Sequence, residues 1–276
     1  MPESAPAFGL IIIGDEILSG KRSDKHLAKT IELLGARGLP LAYADYVGDD
    51  PARITRTLAR AFASDDIVFS CGGIGATPDD HTRQCAARAL GVALALHPQA
   101  AELIRERMQD VAREQGQPYE PERADNVHRL NMGVFPVGAR IIPNPYNKIA
   151  GFSCDGPGGG AVHFVPGFPV MAWPMIEWVL DTHYPQLFRR SGWCEQSVIV
   201  YGALEATLTP LMERIEARHA GVKVFSLPSV DHPQHGRHIE LGVKGAPDRT
   251  TVAYEDLLAG LRQQGARLGP ELVRKQ

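Results

Sequence analysis

The chain has only four cysteines, Cys71, Cys85, Cys154 and Cys194, and no two of them form a C-x-x-C pair. That spacing matches neither a zinc motif nor a disulfide framework, and it suits reduced thiols. No charge of one sign dominates: 29 basic residues stand against 32 acidic ones, a net charge of −3. The basic residues are scattered, and the RER run at 105–107 reads as a helix surface. A polyanion partner such as nucleic acid is therefore not expected. Long apolar runs are missing too. The opening MPESAPAFGLIIIG has an acid and two prolines before its short apolar run and no basic segment. It fits neither a secretory signal nor a membrane span, so a soluble, cytoplasmic protein is expected, with no membrane partner. There is no internal repeat and no low-complexity segment.

What is present is an ordinary globular balance, 44% hydrophobic and 22% charged over 276 residues. That length is comfortable for two domains. The run 7–13 is apolar and β-branched and predicts a buried strand. Helical spacing follows at Leu27, Ile31 and Leu34, with Ser23 or Asp24 as cap. Residues 39–47 predict a second strand. Asp50 and Pro51 predict an N-cap and a first-turn proline ahead of a helix. Residues 66–70 predict a third strand. The order β-α-β-α-β with apolar strands argues for a mostly parallel sheet covered by helices on both faces. A helix from Asp79 or Asp80 to Gly91 and another over 98–115 follow. Residues 117–160 are irregular and rich in proline and glycine, as in segments that line a site. Residues 161–166 predict a returning strand and 167–188 a helix. From 195 the pattern is β-α-β-β-α, an α+β unit, so the predicted domains are 1–190 and 191–276.

In a parallel α/β sheet, ligands bind beyond the carboxyl ends of the strands. The first strand is followed by GDEILSG (14–20), with Asp15, Glu16 and Ser19. The second is followed by Gly48, Asp49 and Asp50. The third is followed by CGGIGATPDDHT (71–82), with Gly72, Gly73 and Gly75 ahead of Asp79 and Asp80. Glycines let backbone N–H groups surround an anion, and a helix N-terminus adds partial positive charge. The acids suit a hard cation such as Mg²⁺ held between carboxylates and phosphate oxygens. Together these features point to chemistry at a phosphoryl or pyrophosphoryl group. Asp50 is accounted for by capping, and Asp79 is assigned mainly to the helix start. The expected division is Gly72, Gly73 and Gly75, with Ile74 between them, for the anion and Asp80 for the cation.

GGIGATPDDHT resembles the glycine loop of the molybdopterin-binding (MoaB/Mog-like) fold, and GDEILSG resembles that fold's first strand-loop. NPYNKIAGF (144–152) and VPGFPVMAWPM (165–175) resemble stretches of the CinA N-terminal region and its stand-alone relatives. The β-α-β-β-α tail resembles that group's KH-like domain. The resemblance implies a molybdopterin-binding α/β sandwich whose glycine loop holds ligand phosphate. Asp80 matches an acid essential in molybdopterin adenylyltransferases, Asp49 falls on a second functional acid, and Asp15 and Ser19 match the first loop. Asn144, Pro166 and Gly167 fall in the other two matching stretches and join the expected binding set. In the CinA-type branch it implies metal-dependent pyrophosphatase activity on ADP-ribose, with Mg²⁺ or a similar divalent cation, and K⁺ as a further candidate ion. Related domains act on FAD. Molybdopterin adenylylation and non-catalytic binding of a nucleotide or pterin are the alternatives. A homo-oligomer, dimer or trimer, is implied, and no nicotinamide-mononucleotide deamidase domain is expected within these residues.

The sequence departs from the family at several positions. Asn147 and Lys148 replace small residues, Ala150 replaces a proline, Cys71 stands where threonine is common, and 171–173 lack an acid. Lys148 is a candidate phosphate contact. His232, His235 and His238, spaced by three, are expected in a solvated hairpin turn rather than a metal site. His81 reads as an exposed histidine at a helix start. Trp173 and Trp178 read as packing or subunit contacts. The KH-like unit lacks a GxxG clamp and a basic face, so RNA binding is not expected.

Overall fold

Six apolar residues in succession form β1, Phe8–Ile13, and every one of them is buried. Such a strand needs cover on both faces, and its residues divide accordingly. Ile11 and Ile13 join one core, whereas Leu10 and Ile12 join another on the opposite face. In the computed structural model, which describes residues 6–188 and 194–275, β1 pairs in parallel with β2 (Leu41–Val47) and β3 (Ile67–Cys71). Next to β3 lies β8 (Ala161–Val165), also parallel. The sheet is completed by two antiparallel strands, β7 (Gly151–Asp155) and β6 (Arg140–Ile142). Its order is β2-β1-β3-β8-β7-β6. The expected mostly parallel sheet is present, with an antiparallel margin drawn from the segment that reads as irregular in sequence. The same segment carries α6 (Ala124–Arg129) and β5 (Val134–Pro136), which pairs with β4 (Leu94–Leu96).

Helices α3 (Pro51–Ala63) and α4 (Thr82–Leu90) cover one face. Their Ile54, Leu58, Phe62, Cys85 and Ala86 pack against Phe152 and Phe164, whose rings stack at 4.4 Å between centroids. Burying each large apolar side chain contributes about 1.5–3 kcal/mol. The short α1 (Asp15–Leu18) and then α2 (His26–Gly35) follow β1, and α2 covers the other face with α7 (Pro169–His183). Helix α5 (Pro98–Glu114) follows β4. Asp24 accepts from the backbone N–H groups of His26 and Leu27 at 2.8 and 3.1 Å and starts α2 as expected. Asp50 likewise accepts from Arg53 N at 2.7 Å and caps α3, with Pro51 in the first turn. Trp173 and Trp178 pack against the α2–α7 core. All four cysteines are buried and free. His163 is fully buried between the Ser153 and Tyr184 hydroxyls, each 2.7 Å away, and burial pushes it down to about 3, so the ring is neutral.

One expectation about α4 is corrected. The helix begins at Thr82, with His81 at the N-cap position and no side-chain cap. Neither Asp79 nor Asp80 caps it. Both belong to the loop, because the Thr77–Asp80 turn consumes them first (Asp80 N donates to Thr77 O at 3.0 Å).

The described residues fall into two compact units, one holding 6–35 and 39–188 and the other 36–38 and 194–275. The expected boundary at 190/191 lies outside the described residues. The second unit contains β9 (Cys194–Tyr201), α8 (Glu205–Arg218), β10 (Lys223–His232), β11 (Gly236–Gly245), α9 (Pro247–Gln263) and β12 (Arg267–Lys275). Its antiparallel sheet has the order β10-β11-β9-β12 and packs against both helices. The predicted β-α-β-β-α pattern thus gains a final strand, and the last helix stops at Gln263. His232, His235 and His238 come together at the hairpin end with ring centroids 4.9–5.6 Å apart. They are not all solvated, because His238 is buried on β11. His235 meets the Tyr201 hydroxyl at 3.0 Å. No helix among the described residues is long and apolar enough to cross a membrane.

Candidate functional site

The ends of β1 and β2, and those of β3 and β8, are stitched together by the loops that follow β1 and β3. Gly14 N donates to Val47 O, and Gly72 N donates to Val165 O, each at 3.0 Å. Gly72 and Gly73 have φ of 106° and 69°, values that L side chains seldom adopt. Neither has room for a Cβ: at Gly72 it would strike the Ile13 carbonyl, and at Gly73 the Thr82 hydroxyl. The loop is thereby pressed onto the end of β1. Ile74 turns its side chain into the core and leaves its backbone at the surface. The N–H groups of Gly73, Ile74, Gly75 and Ala76 find no acceptor among the described residues. Four successive unpaired donors after a strand have the chemistry that suits an anion.

These residues wall a pocket of about 470 Å³. Of the residues singled out in the sequence, Gly72, Gly73, Ile74, Gly75, Asp49, Asp80, Pro166 and Gly167 line it. Asp15, Ser19, Asn144 and Lys148 do not. Asp15 is engaged in a reciprocal clasp: its N–H donates to Asp49 Oδ2 at 2.9 Å, and its Oδ1 accepts from Asp49 N at 3.2 Å. It lines a neighbouring groove with Asp50 and Arg53. Ser19 is exposed at the end of α1. Asn144 is buried and ties its own turn, donating to Asn147 Oδ1 and Ile149 O at 2.8 and 2.9 Å and accepting from Tyr146 N at 3.0 Å. Lys148 reaches α5 instead of the pocket, with Nζ 2.8 Å from Asp110 and 3.2 Å from Glu106. These acids are remote in sequence, which is why a phosphate contact looked open to Lys148.

Other lining residues carry weaker sequence signals. Glu16 enters from the first loop and Arg22 from just beyond it, Thr77 and Asp79 from the glycine loop, and Asn147, Phe168 and Met171 from the later stretches. Among the described residues the Arg22 side chain has no ion-pair partner. Asp80 Oδ2 accepts from Thr77 N at 2.8 Å and from the Thr77 hydroxyl at 2.5 Å, lying against Gly75. Arg83, buried behind the loop, donates to the Gly75 and Asn131 carbonyls and braces the turn.

The charges in the pocket are unequal. Burial, together with the neighbouring negative charges of Asp15, Glu16 and Asp79, pushes the Asp49 carboxyl above the ordinary range, while the Asp15 N–H opposes the shift. The nearby Thr77 hydroxyl and its own N–H hold Asp79 below that range. No group of three or more His, Cys, Asp or Glu side chains among the described residues forms a ready cation cage. The acids fit instead a hard ion held by one or two carboxylates together with water and ligand oxygens. Excess negative charge around Asp49 is the feature such an ion would relieve.

A mixed sheet between helices, with a glycine loop and acids lining one pocket at its strand ends, defines the class. A family model described as a probable molybdopterin binding domain matches residues 9–188, and the chain belongs to that family. It is similar to a CinA-like protein of Gloeobacter violaceus, 32% identical over 228 residues, covering 81% of this chain and 50% of that one. A protein of Pyrobaculum calidifontis is 28% identical over 241 residues, 85% of this chain and 86% of that one. The chain spans about half the length of the curated CinA-like relatives it matches. Among solved structures, the protein CinA with unknown function from Thermoplasma acidophilum superposes with a TM-score of 0.53 at 28% identity, covering 64% of this chain and 97% of that one.

Proposed function

We propose that the pocket binds the pyrophosphate of a nucleotide such as ADP-ribose or a related dinucleotide and hydrolyses it with a divalent cation. The observation that carries this reading is the run of unpaired N–H groups from Gly73 to Ala76, which shares one pocket with Glu16, Asp49, Asp79 and Asp80. Backbone donors suit phosphate oxygens, and the acids would repel those oxygens without a cation between them. Asp79 is the carboxylate best disposed to hold Mg²⁺, which when bound would supply charge stabilisation at the phosphoryl group. Asp80 shapes the cradle through Thr77. Arg22 supplies a side-chain cation for the second phosphate.

Asp49 also has the character of a general base. Its carboxylate lines the pocket and pairs with no basic side chain among the described residues. In the reaction, water attacks one phosphorus, the bridging P–O bond breaks, and the water proton passes to Asp49. The bridging oxygen leaves on the other phosphate, so ADP-ribose yields AMP and ribose 5-phosphate. The test is hydrolysis of ADP-ribose by the full chain with Mg²⁺ or Mn²⁺. Cleavage should be metal-dependent and should fall by about 10²–10⁴-fold in Asp49→Asn. Tight binding with no turnover under any divalent cation would leave a ligand-binding protein and remove the catalytic reading.

A further inference from the structure

Three of the four open donors in the glycine loop are fixed from behind by two consecutive residues at the start of α4. The Gly72 carbonyl accepts from the Thr82 hydroxyl at 3.1 Å, and the Gly73 carbonyl accepts from Thr82 N at 3.0 Å. The Gly75 carbonyl accepts from Arg83 Nη2. Across a trans peptide the C=O and the N–H point in opposite directions. Each of these bonds therefore sends the next N–H, that of Gly73, Ile74 or Ala76, away from α4. All three residues line the pocket, whereas Thr82 and Arg83 do not. Ala76 is held on its other side too, because its carbonyl meets His128 Nε2 at 3.1 Å.

Arg83 differs from Thr82 in carrying a charge. It is only 4% exposed, and its Nε is buried without a hydrogen-bond partner. The groups it does bond, Gly75 O and Asn131 O, are neutral carbonyls. Among the described residues no carboxylate forms an ion pair with it. Asp80 is the acid whose charge reaches it, but the Asp80 carboxylate accepts from Thr77 instead. A buried cation without a counter-ion is costly to keep. An anion on the glycine loop would supply that counter-charge across a single peptide group. A hydrogen bond from a cation to Gly75 O also polarises the Gly75–Ala76 peptide and strengthens the Ala76 N–H as a donor.

We propose that Arg83 is a positioning residue for anion binding in this pocket: it aims the Ala76 N–H through the Gly75 carbonyl, and its buried charge is balanced by the bound pyrophosphate. The proposal rests on the pyrophosphate reading above. It adds to that reading a source of affinity that lies behind the pocket wall and never touches the ligand. Thr82 shares the aiming of the donors but brings no charge, so the electrostatic part falls to Arg83 alone.

The test is titration calorimetry of the full chain with inorganic pyrophosphate in Mg²⁺, for the parent, Arg83→Lys and Arg83→Gln. Glutamine keeps an amide donor for Gly75 O and loses the charge, whereas lysine keeps the charge and loses the planar fork. Arg83→Gln is expected to weaken pyrophosphate binding by about tenfold or more, and Arg83→Lys by about threefold or less. Equal losses in the two variants, or a larger loss in Arg83→Lys, would overturn the proposal and leave Arg83 as a packing brace, with the pyrophosphate reading standing. Amide NMR of the parent chain gives a second readout: pyrophosphate should move the Ala76 N–H signal downfield as that group takes up an acceptor. If neither variant folds, this signal decides. Pyrophosphate binding that leaves Ala76 unmoved would overturn the proposal alone, and failure of the parent chain to bind pyrophosphate would overturn both.

Discussion

Gly73→Ala is the sharpest probe of how the anion cradle is held. At φ of 69° an alanine sits in the left-handed region, which costs about 1–2 kcal/mol. Its Cβ would also strike the Thr82 hydroxyl, which donates to Gly72 O at 3.1 Å inside the core. Displacing that hydroxyl forfeits a hydrogen bond of about 0.5–1.5 kcal/mol. The lower entropy of the unfolded alanine chain offsets roughly 0.4–1 kcal/mol. The net loss should be about 1–3 kcal/mol, read by urea denaturation with linear extrapolation. Thr82→Ala alone forfeits the same hydrogen bond. In the double variant that bond can be lost only once, and the clash is gone, so the two losses should fall short of their sum by about 1 kcal/mol. Simple additivity, or a Gly73→Ala loss below about 0.5 kcal/mol, the range of ordinary surface substitutions, would refute the packing described for this loop.

Asp49→Asn separates stability from function. The Asp49 carboxyl is raised in the folded protein, so the native state holds the proton more tightly than the unfolded chain, and ionised Asp49 costs stability at neutral pH. The variant should therefore be more stable than the parent at pH 7. This advantage should shrink on acidification and vanish below about pH 4, where aspartate in the unfolded chain is also protonated; melting across that range checks it. Arg83→Met removes two charge-assisted bonds to the Gly75 and Asn131 carbonyls, each worth about 1.5–3 kcal/mol. Relief from burying the charge offsets part of this, and burial already pushes the Arg83 guanidinium downward. A net loss of about 2–3 kcal/mol and weaker pyrophosphate binding are expected by urea titration and calorimetry. Lys148→Ala should leave pyrophosphate affinity unchanged and cost under about 1 kcal/mol, because Lys148 makes surface ion pairs with Glu106 and Asp110.

The parts of the site that were legible in the sequence were those set by strand order. Once β1, β2 and β3 are read as parallel neighbours, Gly14, Asp49 and Gly72 must emerge on one rim, and the structure places all three beside the pocket. Capping by Asp24 and Asp50 was legible for a similar reason, since a cap acts on residues two or three positions away. Distant partners were not legible. Nothing near Lys148 in sequence indicates that Asp110 will hold it, and nothing in GDEILSG indicates that Asp15 will spend its carboxylate on Asp49 N. The helix start moved from Asp79 to Thr82 because Thr77 can bind Asp80, a local competition between turn and cap. Strand β12 was hidden by Gly269 and Pro270, which its partner β9 accommodates through a register shift between Leu268 and Glu271.

In the proposed reaction, the glycine loop and the acids of its pocket cleave a pyrophosphate bond. Phosphorus NMR of the full chain incubated with ADP-ribose, FAD and related dinucleotides over a panel of divalent cations tests it most directly. ADP-ribose should be converted to two monophosphates only when a divalent cation is present, and Asp49→Asn should slow this conversion by about 10²–10⁴-fold while remaining folded. No cleavage of any dinucleotide with any cation, or full cleavage by Asp49→Asn, would contradict it.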